Sequence, residues 1–214
     1  MSFIKKILSY FYPLTTIVDS DYSGKVEITW YNGKKMLDTE NANYSYGSLQ
    51  EVLEYGIAQV DLTTVHSILI LGMGAGSVIK SLKEKFNFQK QITAVEWDKS
   101  IIEIAASEFG IKANHQLEII CQDAVDFVQN NHTQFDLIIV DIFIDNQIPA
   151  AIKSSAFLSQ FPKILNPKGY LIFNLLYLTK LEEKEIMRCI QESIDSKVIK
   201  VPHHENRLLI GQVY

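Results

Sequence analysis

The stretch HSILILGMGAGS, residues 66–77, decides the fold of this chain. Its apolar run, Ile68 to Leu71, is too short for a buried helix and is typical of a strand covered on both faces. Glycines follow at every second position: Gly72, Gly74 and Gly76. Glycine lets the backbone turn tightly near a ligand, and a helical pattern begins at Ser77, which we expect to be the N-cap. The stretch therefore predicts a strand, a glycine turn and a helix N-terminus that favours a polar or anionic ligand group.

A second predicted strand, residues 92–96, ends on the acid Glu96. In nucleotide-binding βαβ units, a carboxylate about 20 residues beyond the glycines accepts hydrogen bonds from ribose hydroxyls. The glycine spacing is G-x-G-x-G, and Ser77 stands where the dinucleotide fingerprint has its third glycine. This departure favours a nucleoside without a pyrophosphate over NAD or FAD. A tight turn with no ligand is the alternative interpretation of the glycines.

Length and charge narrow the class of protein. A chain of 214 residues, 47% hydrophobic, is large enough for one domain with a small appendage, and its core needs no disulfide or metal. The net charge of −5 argues against a general nucleic-acid binder, whose surface should be positive. Cys121, in a predicted interior strand, and Cys189, in a predicted helix, are expected to be small buried hydrophobic residues in a reducing cytoplasm. The sequence contains neither a metal-binding motif nor a hydrolase nucleophile elbow.

The N-terminal region predicts a helix and a small antiparallel β unit, which we assign to residues 1–48. A short amphipathic helix ending before Pro13 fits better than a signal peptide, because the apolar residues after Lys6 are interrupted and no cleavage site follows. Asn32-Gly33 lies between two β-patterned runs and predicts a hairpin within residues 14–40. The aromatic residues of the helix make it a candidate contact surface of a homodimer. No stretch approaches the roughly 20 apolar residues of a membrane span.

Strand and helix patterns alternate through residues 49–214. We expect helices at 49–60, 99–110, 124–131, 156–165 and 180–194, strands at 117–121, 135–141 and 170–176, a long loop at 142–155, a turn at 167–169, and an antiparallel hairpin from 197 to 214. Such alternation predicts a parallel sheet with helices on both faces and a ligand beyond the carboxyl ends of its strands. Polar or glycine residues stand at these ends: Gly72, Glu96, Asp123, Asp141 and Asn174.

Five motifs, taken in this order, resemble the class I S-adenosylmethionine-dependent methyltransferase fold: ILILGMGAGS, AVEWD, CQDAVDF, FDLIIVD and LNPKGYLIFN. More narrowly they resemble its spermidine synthase-like branch, because Ile70 stands where many methyltransferases carry an acid and QDA at 122–124 is similar to the branch's Gly-Asp-Ala. The resemblance implies an α/β, Rossmann-like domain with a mostly parallel sheet and a C-terminal antiparallel hairpin. In that branch a small β unit precedes this domain.

The resemblance also implies a site for S-adenosylmethionine or its decarboxylated form, without a metal. The residues at the methionine-like part of this cofactor would be Gly72, Met73, Gly74 and Gly76. Glu96 would bind the ribose, and Asp123 and Ala124 would lie at the adenine. From its position directly after Glu96, we also expect Trp97 to flank the adenine. Core packing is the alternative for Trp97, and Asp123 is also placed to cap a helix. Asp141 matches the acid that helps accept a proton from the attacking amine, with a helix cap or a loop acid as the alternative.

Two departures from the branch bear on the reaction. Ala75 replaces an acid of the glycine turn, and Asp141-Ile142-Phe143-Ile144-Asp145 replaces Asp-Ser-Ser-Asp-Pro, so that Asp145 is displaced by one residue. A diamine needs carboxylates at both ends of its groove, because an unpaired buried ammonium is costly. We therefore expect methyl transfer to a small-molecule acceptor. Aminopropyl transfer to putrescine and a non-catalytic nucleoside-binding protein are the alternatives.

Three further residues are candidates for substrate contact: Tyr44, Tyr46 and Asp145. Tyr44 and Tyr46 lie in a polar and aromatic segment, residues 39–50, between the appendage and the main domain. Packing between those two parts is the alternative for both tyrosines.

Overall fold

A computed structural model describes residues 2–20, 22, 24–39, 42–144 and 147–214. The chain forms two sheets, one with four strands and one with seven. Helix α1 spans Ser2–Leu8, and the four-stranded sheet follows with its strands in chain order: β1 Leu14–Ser20, β2 Gly24–Tyr31, β3 Lys34–Thr39 and β4 Ala42–Ser45.

All strand pairs of the small sheet are antiparallel. The hairpin at Asn32-Gly33 is confirmed: both residues have positive φ, 49° and 74°, as a two-residue turn of type I′ requires. Strand β4 lies in the segment that we expected to be a polar connection. Its four residues are too few to show an alternating pattern in the sequence.

The remaining elements are helix α2 and the strands and helices of the large sheet. Their bounds are α2 Gly47–Ile57, β5 Ser67–Leu71, α3 Ser77–Glu84, β6 Gln91–Glu96, α4 Lys99–Glu108, β7 Leu117–Cys121, α5 Ala124–Asn130, β8 Phe135–Val140, α6 Ala150–Lys153, α7 Ser155–Leu158, α8 Phe161–Ile164, β9 Leu165–Asn174, α9 Lys180–Ile190, β10 Ile194–Lys200 and β11 Arg207–Val213.

The strand order of the large sheet is β10-β11-β9-β8-β5-β6-β7. The pairs among β5 to β9 are parallel, and β10 and β11 are antiparallel. The mostly parallel sheet with a C-terminal hairpin is thus confirmed. The chain runs from β5 outward through β6 and β7, then returns to place β8 on the other side of β5. In such sheets ligands bind in the crevice where the direction reverses, which here lies between the ends of β5 and β8.

Strand β5 is covered on both faces, as its apolar run predicts. Its residues 68–71 are at most 1% exposed, and they alternate between two core clusters. Ile68 and Ile70 pack on one face with residues of α2 and α3, whereas Leu69 and Leu71 pack on the other with residues of α7 and α8. Each such side chain contributes roughly 1.5–3 kcal/mol by its burial, so β5 anchors the sheet from which the glycine turn leaves.

Several expectations about local structure are wrong. Strand β7 is an edge strand, so Cys121 is exposed, and Cys189 is only partly buried; both are free thiols. Gly76, and not Ser77, is the N-cap of α3. The expected loop at 142–155 contains α6, and the expected helix at 156–165 is split into α7 and α8, with Pro162 in the first turn of α8.

The expected turn at Pro167-Lys168-Gly169 lies inside strand β9, which begins earlier, at Leu165. The pairing of β9 with β8 shifts register between Phe135 and Leu137, and this irregularity accommodates the extra residues. The residues Pro167-Lys168-Gly169 therefore mark an irregularity within strand β9 and not the turn that precedes it.

The apolar face of α1 is exposed: Phe3 and Ile4 leave 74% and 63% of their surface accessible. Exposed apolar surface of this kind favours a protein contact. A homodimer formed through this face stays a prediction. Within the described part of the chain, no helix is long and apolar enough to cross a membrane.

We expect Gly72→Ala to destabilise the fold more than Gly110→Ala does. Both glycines have positive φ, 85° and 72°, so each substitution carries the backbone cost of about 1–2 kcal/mol. A Cβ at Gly110 meets nothing within 4 Å, whereas one at Gly72 collides with the backbone carbonyl of Asp141. Overpacking against backbone adds about 1–3 kcal/mol. Urea unfolding of the two variants measures this difference, and equal losses would refute the close contact.

Candidate active site

A cavity of about 530 Å³ opens beyond the carboxyl ends of the central strands. This volume lies in the range of small-molecule sites. One half is lined by residues that follow β5, β6 and β7, among them Gly72, Glu96 and Asp123. The other half is lined by residues of the segments after β8 and β9, among them Phe143 and Leu176, and Leu49 of α2 also lines the cavity. Asp141, directly after β8, lies between the two halves because β8 lies between β5 and β9.

Glu96 is fixed by backbone amides. The Gly74 N–H donates to its Oε2 at 2.9 Å and the Asp98 N–H donates to its Oε1 at 3.1 Å, while only 4% of the residue is exposed. Burial raises the pKa of this carboxyl to about 7; the backbone hydrogen bonds oppose the increase and the Asp98 charge adds to it. The site thus presents a carboxyl that becomes an ionised acceptor around neutral pH.

The residues predicted at the adenine also line the cavity. Trp97 is 37% exposed, and its ring stacks on that of Tyr22. Asp123 is the N-cap of α5, and its Oδ1 accepts from the N–H groups of Val125 at 2.8 Å and Asp126 at 3.1 Å. Asp123 therefore both caps α5 and lines the cavity.

Asp141 is oriented by a chain of amide side chains. The Asn174 Nδ2 donates to Asp141 Oδ1 at 2.9 Å, and the Asn206 Nδ2 donates to Asn174 Oδ1 at 3.0 Å. Asn174 is fully buried, so its orientation is fixed by these bonds. Burial raises the pKa of Asp141 to about 6, and the hydrogen bond from Asn174 opposes this shift. The next helix, α6, begins only at Ala150, so Asp141 is not a helix cap.

The half of the cavity beyond Asp141 is predominantly apolar. Its lining residues follow β8 or β9 or belong to α6: Ile142, Phe143, Ile144, Pro149, Ala151, Ile152 and Leu176. Ser45 and the α2 residues Leu49 and Leu53 also line the cavity. Among the described lining residues, the carboxylates are Glu96, Asp123 and Asp141. This half suits a ligand with an uncharged, apolar body.

Some predicted site residues lie elsewhere. Gly76 is absent from the described cavity lining, and a Cβ added to it would lie 2.8 Å from the side chain of Ile111. Tyr46 is 6% exposed, and its ring stacks on Phe109 with centroids 4.6 Å apart. Its hydroxyl donates to the Ala75 carbonyl at 3.4 Å, and burial raises its pKa well above the usual range. These contacts support the packing alternative for Tyr46.

Tyr44 and Asp145 are the two remaining candidates for substrate contact. The side chain of Tyr44 and the whole of Asp145 lie outside the described residues. Among the residues that the structure describes, no three His, Cys, Asp or Glu side chains are grouped so that they could hold a metal ion.

Sequence reasoning missed several residues that shape the site. Tyr22 comes from the turn between β1 and β2, Leu49 and Leu53 come from α2, and Asn206 comes from the turn before β11. Each is distant in sequence from the strand ends where the motifs lie. The helical periodicity of residues 49–60 was the one available signal for the leucines, and it indicates a buried face without naming its neighbour.

The fold is that of the Rossmann-like methyltransferases. Human methyltransferase-like protein 13, solved in complex with SAH, matches with a TM-score of 0.68 and 22% identity, covering 79% of this chain and 83% of that chain. The chain belongs to the spermine/spermidine synthase domain family, whose model matches residues 50–203.

Two curated relatives carry different names. The protein named "Probable polyamine aminopropyl transferase" in Bifidobacterium longum is 32% identical over 110 residues, 51% of this chain. An eEF1A lysine and N-terminal methyltransferase homolog of Drosophila melanogaster is 26% identical over 161 residues, 67% of this chain. The matched segment covers 24% of each relative, so this chain spans only a minor part of their length.

We expect the affinity for S-adenosylhomocysteine to fall about tenfold from pH 8 to pH 6. A ribose diol donates to the ionised form of Glu96, and this carboxyl, with a pKa of about 7, is mostly protonated at pH 6. Calorimetric titrations at several pH values measure the change. Glu96→Gln removes the titrating group and should give weaker affinity that no longer varies across this range. A wild-type affinity independent of pH would contradict the role of Glu96.

Proposed function

We propose that this chain is an S-adenosylmethionine-dependent methyltransferase that acts on a small acceptor with an apolar body. The observation that carries the proposal is the position of Asp141. This carboxyl has a raised pKa, is oriented by Asn174, and lies between the glycine turn and the apolar half of the cavity.

The residues around the glycine turn fit the proposed cofactor. Gly72 and Gly74 have positive φ and no side chains, so backbone lines this part of the cavity. Glu96 is a buried carboxyl suited to a ribose diol, and Trp97 and Ala124 offer apolar surface for a base. When bound, S-adenosylmethionine supplies a methyl group activated by its sulfonium.

In this proposal Asp141 orients the nucleophile of the acceptor and accepts its proton. Its pKa of about 6 leaves it ionised at neutral pH and still basic enough to hold a hydrogen bond from an N–H or O–H group. Asn174 keeps one carboxylate oxygen of Asp141 occupied, and Asn206 orients Asn174. The apolar residues around it exclude water and hold the body of the acceptor.

The lining of the acceptor half favours methyl transfer over aminopropyl transfer. A diamine substrate brings two positive charges, and each buried ammonium needs a partner. Among the described residues of this half, Asp141 is the carboxylate available, and the residues that follow it are Ile142 and Phe143. Ala75 is fully buried and does not line the cavity. Aminopropyl transfer remains the second candidate because the Bifidobacterium relative carries that name.

Donor and acceptor assays separate the two reactions. We expect transfer of label from methyl-labelled S-adenosylmethionine to one of a set of apolar amines, acids and phenols. We expect little spermidine from putrescine and decarboxylated S-adenosylmethionine. Efficient spermidine formation would favour aminopropyl transfer over methyl transfer. Tight nucleoside binding without turnover of any acceptor would favour a non-catalytic binding protein.

We expect Asp141→Asn to lower the turnover rate about 100-fold or more while leaving the affinity for S-adenosylhomocysteine nearly unchanged. Asparagine keeps the shape and can still accept from Asn174, but it has no basicity. With S-adenosylmethionine saturating at every pH, the wild-type rate should rise with pH around 6 as Asp141 ionises, and the variant should lose this dependence.

The matched control for this substitution is Asp126→Asn, an identical change on α5 outside the described cavity lining. It should leave both turnover and the pH profile unaltered. Equal turnover of wild type and Asp141→Asn would remove Asp141 from the chemistry.

A further inference from the structure

Asp98 joins the two sheets of the protein. It is fully buried, and its two carboxylate oxygens serve different partners. Its Oδ1 caps α4 by accepting from the N–H groups of Ser100 at 2.9 Å and Ile101 at 3.3 Å. Its Oδ2 accepts from the Ser20 hydroxyl and, at 3.2 Å, from the Tyr22 N–H. One side chain therefore holds the end of β1 against the helix that follows β6.

The same residue is linked to the predicted ribose carboxyl. The Asp98 N–H donates to Glu96 Oε1, and Trp97 stands between the two acids. Glu96, Trp97 and Asp98 thus form a short rigid segment. Glu96 accepts a hydrogen bond from the glycine turn, and Asp98 accepts one from Tyr22, next to the small sheet.

Tyr22 and Trp97 form a stacked pair at the cavity. Their ring centroids are 4.6 Å apart, with 19° between the ring planes. Both residues line the cavity, although Tyr22 is 62% and Trp97 37% exposed. Two large aromatic side chains held together in this way leave apolar surface accessible to a ligand. The stacking of a base on such surface contributes about 1–3 kcal/mol, which corresponds to roughly 5- to 150-fold in affinity.

We propose that Tyr22 and Trp97 form an aromatic wall for the purine base of the bound nucleoside, and that Asp98 is the positioning residue that holds Tyr22 in it. This inference rests on the proposed function, because it concerns the same nucleoside. It adds a binding residue from the small sheet to the site. Nucleoside binding and docking of the small sheet are then coupled, and each stabilises the other by the same factor.

The probe for the experiment is S-adenosylhomocysteine, titrated by calorimetry. We expect Tyr22→Ala to weaken its binding about tenfold and Tyr22→Phe, which keeps the ring, to leave it nearly unchanged. Asp98→Asn keeps an oxygen that can cap α4, but its amide nitrogen cannot accept from the Tyr22 N–H. At pH 8, where Glu96 is mostly ionised whether or not the Asp98 charge is present, this variant should weaken binding as well. Combined with Tyr22→Ala it should add little, because both changes remove the same contact.

Fluorescence separates positioning from general loss of stability. The chain has two tryptophans, so Trp30→Phe leaves Trp97 as the only one. In that background, Tyr22→Ala and Asp98→Asn should shift the emission of Trp97 in the same direction, because both free its ring. Thr179→Ala is the matched control: it removes the N-cap of α9, outside the described cavity lining, and should lower stability without changing nucleoside affinity or Trp97 emission.

The outcomes distinguish this inference from the proposed function. If Tyr22→Ala binds S-adenosylhomocysteine as tightly as the wild type does, the aromatic wall is overturned and the proposed function stands. Loss of affinity in Tyr22→Ala but not in Asp98→Asn, with Trp97 emission unchanged in the latter, would overturn the positioning role of Asp98. An absence of S-adenosylhomocysteine binding by the wild type would overturn the proposed function, and this inference with it.

Discussion

The close approach of Gly72 to the backbone carbonyl of Asp141 is the contact on which the site depends. It exists because β5 and β8 are neighbours and because Gly72 has no Cβ. The Asp141 N–H donates to the Leu71 carbonyl at 2.9 Å, which extends the pairing of the two strands to their ends. Backbone contacts thereby hold the glycine turn next to Asp141.

Two carboxyls in this crevice have raised pKa values, and their partners differ. Glu96 accepts from the Gly74 N–H of the glycine turn and from the Asp98 N–H that follows β6, so it is suited to bind and to stay in place. Asp141 accepts from one amide side chain and borders an apolar surface, so it is suited to exchange a proton. Burial raises both pKa values. The hydrogen-bond partners assign the two acids to different tasks in the proposed reaction.

The small sheet contributes to the site from outside the large one. Tyr46, at its junction with α2, packs on Phe109 and donates to the carbonyl of Ala75 in the glycine turn. Ser20 and Tyr22 hydrogen-bond to Asp98 at the other end of that junction. The sheet therefore supports the glycine turn from behind and borders the cavity at the predicted adenine end. Tyr46 is buried because it packs behind the glycine turn, whereas Tyr22 is exposed because it lies at the border of the cavity.

The sequence by itself determined the local parts: the strand, the glycine turn and the helix of residues 67–84, the hairpin at Asn32-Gly33, and the acids Glu96 and Asp141 at strand ends. These follow from hydrophobic periodicity and turn chemistry, which act over a few residues. Only the tertiary structure decided that Cys121 lies on an edge strand, that Asn206 completes the chain of amides behind Asp141, and that Tyr22 stacks on Trp97. A periodic pattern reports that a face is buried, but the element that buries it is chosen by strand order and by packing between residues far apart in the chain.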